Sequence, residues 1–337
     1  MNNKLKVLSL FSGIGAFEKA LERQNIPYDL VNYCEFDSKI AKAYSILHNV
    51  SESFNLGDIC TINEKELSDF DLMTWGFPCQ DISIGNIKGE GLKGNRSGLY
   101  YEGLRILQHK KPLYSVIENV DNLVSKKYEL TFKQILKDLD DSGYNSYYKV
   151  LDANDYGIPQ HRERIYIVSI RKDVDNGMFK MPEPFSYKLK WYEFINPYET
   201  RDLTGRQQRM VDSVRGLNNE IIKIEGIPQF DSAVLTLRQS GLRFQANDEH
   251  PTITAFYGKG GGNFTILAYK QHIGGITPRQ CFKLMGFDYE DCDKLEQQGI
   301  SWSTLYTMAG NSIVVNVLEQ VFKELFINSV KAKHNVL

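Results

Sequence analysis

Residues 6–23 hold the pattern that most restricts what this chain can become. Lys6-Val7-Leu8-Ser9-Leu10 reads as a short apolar strand and runs straight into Phe11-Ser12-Gly13-Ile14-Gly15-Ala16. Behind that turn Phe17, Ala20 and Leu21 recur at helical spacing, with Glu18, Lys19, Glu22 and Arg23 on the opposite face. Strand, glycine turn and helix in that order open an α/β sheet, whose ligands bind beyond the carboxyl ends of its strands. Glycines at such a turn let the backbone approach a ligand and leave helix-terminal amides to meet it. Leu30-Val31-Asn32-Tyr33-Cys34-Glu35 reads as a second strand ending in an acid, placed to take the two hydroxyls of a ribose. Leu56-Gly57-Asp58-Ile59 offers a further acidic turn, suited to an adenine edge. The dinucleotide fingerprint G-x-G-x-x-G is incomplete, because Ala16, Phe17 and Glu18 follow Gly15. A nucleoside cofactor without a pyrophosphate therefore fits better than NAD.

The alternation continues down the chain. Asp71-Leu72-Met73-Thr74-Trp75 and Ser115-Val116-Ile117-Glu118 read as buried strands, 129–139 as an amphipathic helix, and Tyr147–Leu151 and Arg164–Ile170 as further strands. Met181-Pro182-Glu183-Pro184 marks a boundary. Beyond it, 186–275 is rich in Gly, Asn, Gln and Arg, with short β-like pieces such as Ala233-Val234-Leu235-Thr236-Leu237. Helical texture returns at Pro278, and a final helix follows Ile313–Leu318 to about residue 330. A catalytic and cofactor-binding domain over 1–185, completed by 276–337, and a smaller, mostly β or irregular domain over 186–275 are expected.

With 337 residues the chain exceeds one typical domain. Its formal net charge of −2 excludes a dedicated nucleic-acid coat, but charge is uneven: residues 86–111 hold six Lys/Arg against two Asp/Glu. Five cysteines, at 34, 60, 79, 281 and 292, form no C-x-x-C pair. That argues for a reduced, cytoplasmic protein without structural zinc or a disulfide framework, and no metal is expected. No apolar run approaches the length of a membrane span, and Met1–Lys6 shows no signal-peptide core.

Gly76-Phe77-Pro78-Cys79-Gln80 ends the strand over 71–75 abruptly, which puts Cys79 on a rigid turn at the ligand-binding edge. A lone cysteine is more often an inert buried thiol than a nucleophile. Its company here is Glu118-Asn119-Val120, Gln160-His161-Arg162-Glu163-Arg164, Thr277-Pro278-Arg279-Gln280 and Gly310-Asn311-Ser312. Together with Phe11-Ser12-Gly13-x-Gly15, these pieces resemble, in order and spacing over essentially the whole chain, the cytosine-C5 DNA methyltransferase family of bacterial restriction-modification type.

That resemblance implies a Rossmann-like sheet that binds S-adenosylmethionine, a target-recognition domain, and duplex DNA as partner. Cys79 would be the nucleophile toward carbon 6 of cytosine, Glu118 the acid at ring nitrogen 3, Arg164 the arginine steadying the cysteine and the base's carbonyl oxygen, and Arg162 a neighbour holding the glutamate or a phosphate. Phe11, Gly13, Gly15, Glu35, Asp58 and Pro78 would line the cofactor, with Asn311 and Ser312 returning beside its methionine end. The chemistry supports the assignment independently. Carbon 5 of cytosine is a poor nucleophile, and thiolate addition at carbon 6 makes it enamine-like, one hard step split into easier ones.

A base inside a duplex must be flipped out to reach such a pocket. The basic, glycine-bearing stretch 85–98, with Lys88 and Arg96, suits a loop that closes over substrate and touches phosphates. Arg238, Gln239, Arg243 and Lys259 are candidates for readout of base edges. A cognate restriction endonuclease is a further expected functional partner, and a monomer the default state. A transfer-RNA cytosine-C5 methyltransferase on the same scaffold, or a catalytically silent nucleic-acid-binding relative, stand as alternatives; a nicotinamide oxidoreductase lacks the third glycine.

Overall fold

A computed structural model describes residues 4–78, 98–205, 207–209, 232–238, 241–245, 249–255, 257, 264–270 and 272–329. Cys79, Lys88, Arg96, Gln239 and Lys259 lie outside these residues, and of 237–238 and 241–245 the backbone alone is described. The chain forms two compact units, one of 1–152, 163–184 and 315–337, the other of 153–162 and 185–314.

The first unit is built on a six-stranded sheet. Its strands are β1 (Leu5–Leu10), β2 (Tyr28–Cys34), β3 (Leu72–Trp75), β4 (Tyr114–Val120), β5 (Tyr144–Asp152) and β6 (Glu163–Arg171), in the order β2-β1-β3-β4-β6-β5. β1 to β4 pair in parallel, and β6 runs antiparallel to both β4 and β5. The four residues of β3 are all buried, which is why apolar residues occupy both of its faces, and its one polar side chain, Thr74, donates to Ser9 Oγ at 3.3 Å. Helices α1 (Ala16–Arg23), α2 (Ser38–His48), α3 (Leu99–Lys110) and α4 (Glu129–Asp141) join the strands.

Packing under β3 centres on Trp75. Its ring stacks on Tyr100 of α3 with centroids 5.6 Å apart, and its indole N–H donates to Ser115 Oγ at 2.9 Å. A buried indole thus keeps its polar atom satisfied, as interiors require. The chain returns to this unit at Val315, where a last helix presents Phe322 to Phe17 of α1 and Glu319 to Arg23 at 3.1 Å.

The second unit holds a four-stranded antiparallel sheet. Its strands are β7 (Ser232–Arg238), β8 (Gly241–Gln245), β9 (Phe264–Tyr269) and β10 (His272–Gly275), in the order β10-β9-β7-β8. A short helix, α5 (Trp191–Phe194), precedes this sheet. After it come α6 (Pro278–Leu284), α7 (Tyr289–Gln297) and α8 (Trp302–Asn311). Thr277 caps α6 in a reciprocal box with Gln280, and Pro278 occupies the first turn, where its missing N–H costs nothing. By compactness residues 276–314 go with this antiparallel sheet, whereas sequence texture groups them with 1–185. The helices of that stretch pack on one another, and Phe282 of α6 meets Phe287 of the following loop at 5.8 Å, relations that periodicity does not encode.

Candidate active site

The carboxyl edge of β1 and β2 forms a cleft of about 510 Å³ within the first unit. Its walls come from three turns. In the first, Ser12 N donates to Cys34 O at 3.0 Å and Ser12 Oγ accepts from Cys34 N at 3.1 Å, which staples the end of β1 to the end of β2. Phe11, in a left-handed conformation at φ 52°, turns its side chain to the cleft.

In the second turn Glu35 is held by backbone amides, accepting from Gly13 N at 3.0 Å and from Asp37 N at 2.9 Å. Burial pushes its carboxyl pKa up, against the pull of those amides. In the third, Asp58 accepts from Cys60 N at 3.0 Å and caps a short 3-10 turn, Ile59–Thr61.

Asn55 ties the last two turns together. Its side-chain carbonyl accepts from Glu35 N at 3.0 Å and Gly57 N at 3.1 Å, and its amide donates to Glu35 O at 3.0 Å. Phe36 lies on the cleft wall with 80% of its surface exposed, and Ile59, Leu99 and Pro78 complete the apolar lining. Cys34 also faces the cleft, donating to Gly57 O at 3.2 Å; burial pushes its thiol up to about 12, so it is inert there.

The donor set decides which cofactor fits. Two carboxylates and several apolar faces line the cleft, and none of the described lining residues is a Lys or Arg. Glu35 and Asp58 would repel a pyrophosphate, whereas a ribose diol, an exocyclic amine and a flat ring meet complementary groups. S-adenosylmethionine, a nucleoside with a cationic sulfonium, fits these residues. Gly13 and Gly15 do not wall the cleft themselves; they shape the turn, Gly13 through its amide to Glu35.

Beyond β3 the chain passes Gly76 and Phe77 to Pro78, one residue before Cys79. On the neighbouring strand, Glu118 and Arg164 form an ion pair, Arg164 Nε to Glu118 Oε1 at 3.3 Å, with side chains 12% and 16% exposed. The pairing follows from register: β4 and β6 are antiparallel with Glu118 opposite Tyr166 and Val120 opposite Arg164, so both side chains come to one end of the strand pair. Asn119, buried at 2%, donates its amide to Phe77 O at 3.1 Å and accepts from Val120 N at 2.9 Å. It thereby fastens the glutamate-bearing strand to the main chain two residues before Cys79.

Arg162 belongs to the second unit and is 4% exposed. Its guanidinium donates to the carbonyls of Ile253 at 2.8 Å, Gly310 at 3.2 Å and Ser312 at 2.8 Å. The Gly310-Asn311-Ser312 motif is thus anchored by Arg162, and a Cβ on Gly310 would fall on the main chain of Thr254. Gln160 does similar work, donating to Leu284 O at 2.8 Å and accepting from Ile253 N at 2.9 Å. Arg238 and Arg243 sit in β7 and β8, Arg238 opposite Gly241 and Arg243 opposite Thr236.

Asn55, Phe36 and Asn119 were not singled out from sequence. A polar residue in a loop, an aromatic following an acid and the middle residue of a motif carry no spacing signal of their own.

Residues 5–327 match the profile described as C-5 cytosine-specific DNA methylase, so the chain belongs to that family, whose methyl donor is S-adenosylmethionine. It is a DNA (cytosine-5-)-methyltransferase. Among its relatives, the type II methyltransferase M.Bsp6I of Bacillus sp. (strain RFL6) is 32% identical over 334 residues, covering 96% of this chain and 98% of that one. The type II methyltransferase M.HhaI of Haemophilus parahaemolyticus is 31% identical over 323 residues, covering 94% and 93%. The crystal structure of S. pombe Dnmt2 methyltransferase shares the fold, with a TM-score of 0.67 at 21% identity over 97% of this chain and 99% of that one. No helix among the described residues is long and apolar enough to cross a membrane.

Proposed function

We propose that the chain methylates carbon 5 of a cytosine flipped out of a specific duplex DNA sequence, through a covalent bond between Cys79 and carbon 6. The observation that carries this reading is the Glu118–Arg164 pair together with the Asn119–Phe77 bond, which fix the acid relative to the main chain leading into Cys79. S-adenosylmethionine, held by Glu35, Asp58, Phe11, Phe36 and Pro78, supplies an electrophilic methyl group.

In this mechanism the Cys79 thiolate adds to carbon 6, and the ring's negative charge gathers at nitrogen 3 and the carbonyl oxygen. Glu118 holds a proton at nitrogen 3, and Arg164 directs the glutamate and offers its remaining N–H groups to the oxygen. Gaining the methyl leaves carbon 5 with both methyl and hydrogen; loss of that proton then expels Cys79 and restores the aromatic ring. The second unit, with its antiparallel sheet and Arg238, Gln239, Arg243 and Lys259, is assigned to target recognition, and Lys88 and Arg96 to phosphate contact. The relatives named above include type II methyltransferases, which supports a modification role alongside a cognate endonuclease.

Transfer of labelled methyl from S-adenosylmethionine to duplex DNA and, in parallel, to total RNA tests this. Label on DNA that is lost in Cys79→Ser is the expected result. Label on RNA alone would move the substrate to RNA, and no label with cofactor still bound would refute the catalytic assignment.

A further inference from the structure

Behind the glycine turn lies a buried cluster that the reaction as written does not use. His48, the last residue of α2, has a side chain 3% exposed and reaches across to the turn between β1 and α1. Its Nε2 lies 3.1 Å from Ile14 O and its Nδ1 3.3 Å from Glu22 Oε1. A carbonyl only accepts, so Nε2 carries a proton and donates to Ile14. Gly15 makes room for the ring: its φ is 79°, and a Cβ there would fall on the imidazole.

Glu18 is fully buried beside this histidine, and neither of its carboxylate oxygens has a hydrogen bond of standard geometry; Ser9 and Tyr44 are its other polar neighbours. The Tyr44 ring packs on the imidazole with centroids 4.7 Å apart. Burial works against charge on His48, but Glu22 and Glu18 outweigh it, and its pKa is raised.

The turn is therefore held from two sides. On the cleft side Gly13 N is bonded to Glu35, and on the rear Ile14 O is bonded to His48. The two bonds fall on adjacent residues, so the rear one fixes where the Gly13 amide points and hence how Glu35 is held. We infer that His48 is a positioning residue for the cofactor, a rear clasp on the glycine turn acting through Ile14, Gly13 and Glu35 without touching the cofactor. This rests on the reading of the cleft as the S-adenosylmethionine site.

The test compares His48→Leu with His48→Gln by calorimetric titration of S-adenosylmethionine, with thermal unfolding and steady-state kinetics alongside. Both variants remove the imidazole beside Glu18 and keep similar bulk, but glutamine retains an N–H for Ile14 O. His48→Leu should weaken cofactor binding about tenfold and raise KM for the cofactor likewise, from loss of one buried donor. Its kcat at saturating cofactor should stay within about twofold, since only a binding interaction is removed. His48→Gln should recover most of the affinity.

Affinity in His48→Leu equal to wild type overturns the clasp, as do two variants whose affinities follow their melting temperatures rather than the donor. If His48→Leu does not fold, His48→Gln decides alone: a loss beyond tenfold despite the retained donor overturns the inference. Wild-type protein that binds no S-adenosylmethionine would instead refute the cofactor reading itself, and it is measured first.

Discussion

Replacing Arg162 by alanine should cost the second unit much of its stability, although the residue lies in a motif that reads as catalytic. The guanidinium is buried and donates to three main-chain carbonyls, of Ile253, Gly310 and Ser312. A hydrogen bond from a charged donor contributes about 1.5–3 kcal/mol, and a buried acceptor left without its donor carries a desolvation cost of about 1–3 kcal/mol. The three bonds are not additive, because one group makes them all. A total of about 3–5 kcal/mol, the cost typical of breaking a buried charged network, is the expected loss. For a unit of this size each 1 kcal/mol shifts the melting temperature by roughly 2–4 °C, so Arg162→Ala should melt roughly 6–20 °C lower.

Scanning calorimetry of wild type, Arg162→Ala and Arg162→Lys measures this directly. Lysine keeps the charge but not the planar fork that reaches three carbonyls, and should recover less than half of the loss. A melting temperature within 2 °C of wild type for the alanine variant would refute the reasoning.

Other outcomes follow from the same geometry. Glu118→Gln, which keeps the shape but holds no transferable proton, should lower kcat about 10²–10⁴-fold while leaving cofactor affinity near wild type; an unchanged kcat in methyl-transfer kinetics would contradict the role given to the acid. Asn55→Ala removes three bonds that join the Glu35 and Asp58 turns. It should weaken S-adenosylmethionine binding by about tenfold or more, read by calorimetric titration.

Stability should also fall on mild acidification through His250. Burial depresses its pKa to about 4, only partly offset by the Nδ1–H donated to Pro251 O at 2.6 Å. The folded value lies below the unfolded one, so the unfolded chain takes up the proton first. Stability is then complete above about pH 6.5 and declines toward pH 4, by up to about 3 kcal/mol. Urea unfolding at pH 7 and pH 5 should show about 2 kcal/mol more loss in wild type than in His250→Gln; equal losses in the two proteins would refute it.

Much of the fold is legible because burial writes itself into sequence. The largely apolar run at 72–75 and the strand–glycine–helix pattern at 5–23 appear as β3, β1 and α1. The antiparallel turn of β6 between β4 and β5 is not legible, since a strand buried on both faces is apolar in either direction. Long-range polar bonds are equally silent. Arg162 and its carbonyl partners stand 91 to 150 positions apart in the chain, and no local pattern announces where a guanidinium will be accepted. Glu35 was readable as an acid at a strand end and Asp58 as an acidic turn, but Asn55, which joins the two turns, looks like any loop asparagine. Phe36 offered one usable signal, a large apolar side chain in a polar turn beside an acid.

The most direct test of the central claim is the intact mass of the protein after incubation with S-adenosylmethionine and duplex DNA synthesised with 5-fluorocytosine throughout, so that every sequence is offered. Fluorine at carbon 5 cannot leave as the proton does, so elimination stops and the bond from Cys79 to carbon 6 persists. Wild type is expected to gain the mass of a methylated DNA adduct, with peptide mapping placing it on Cys79, and Cys79→Ala is expected to gain none. An adduct on another residue, or none from wild type that still methylates ordinary DNA, would contradict the account.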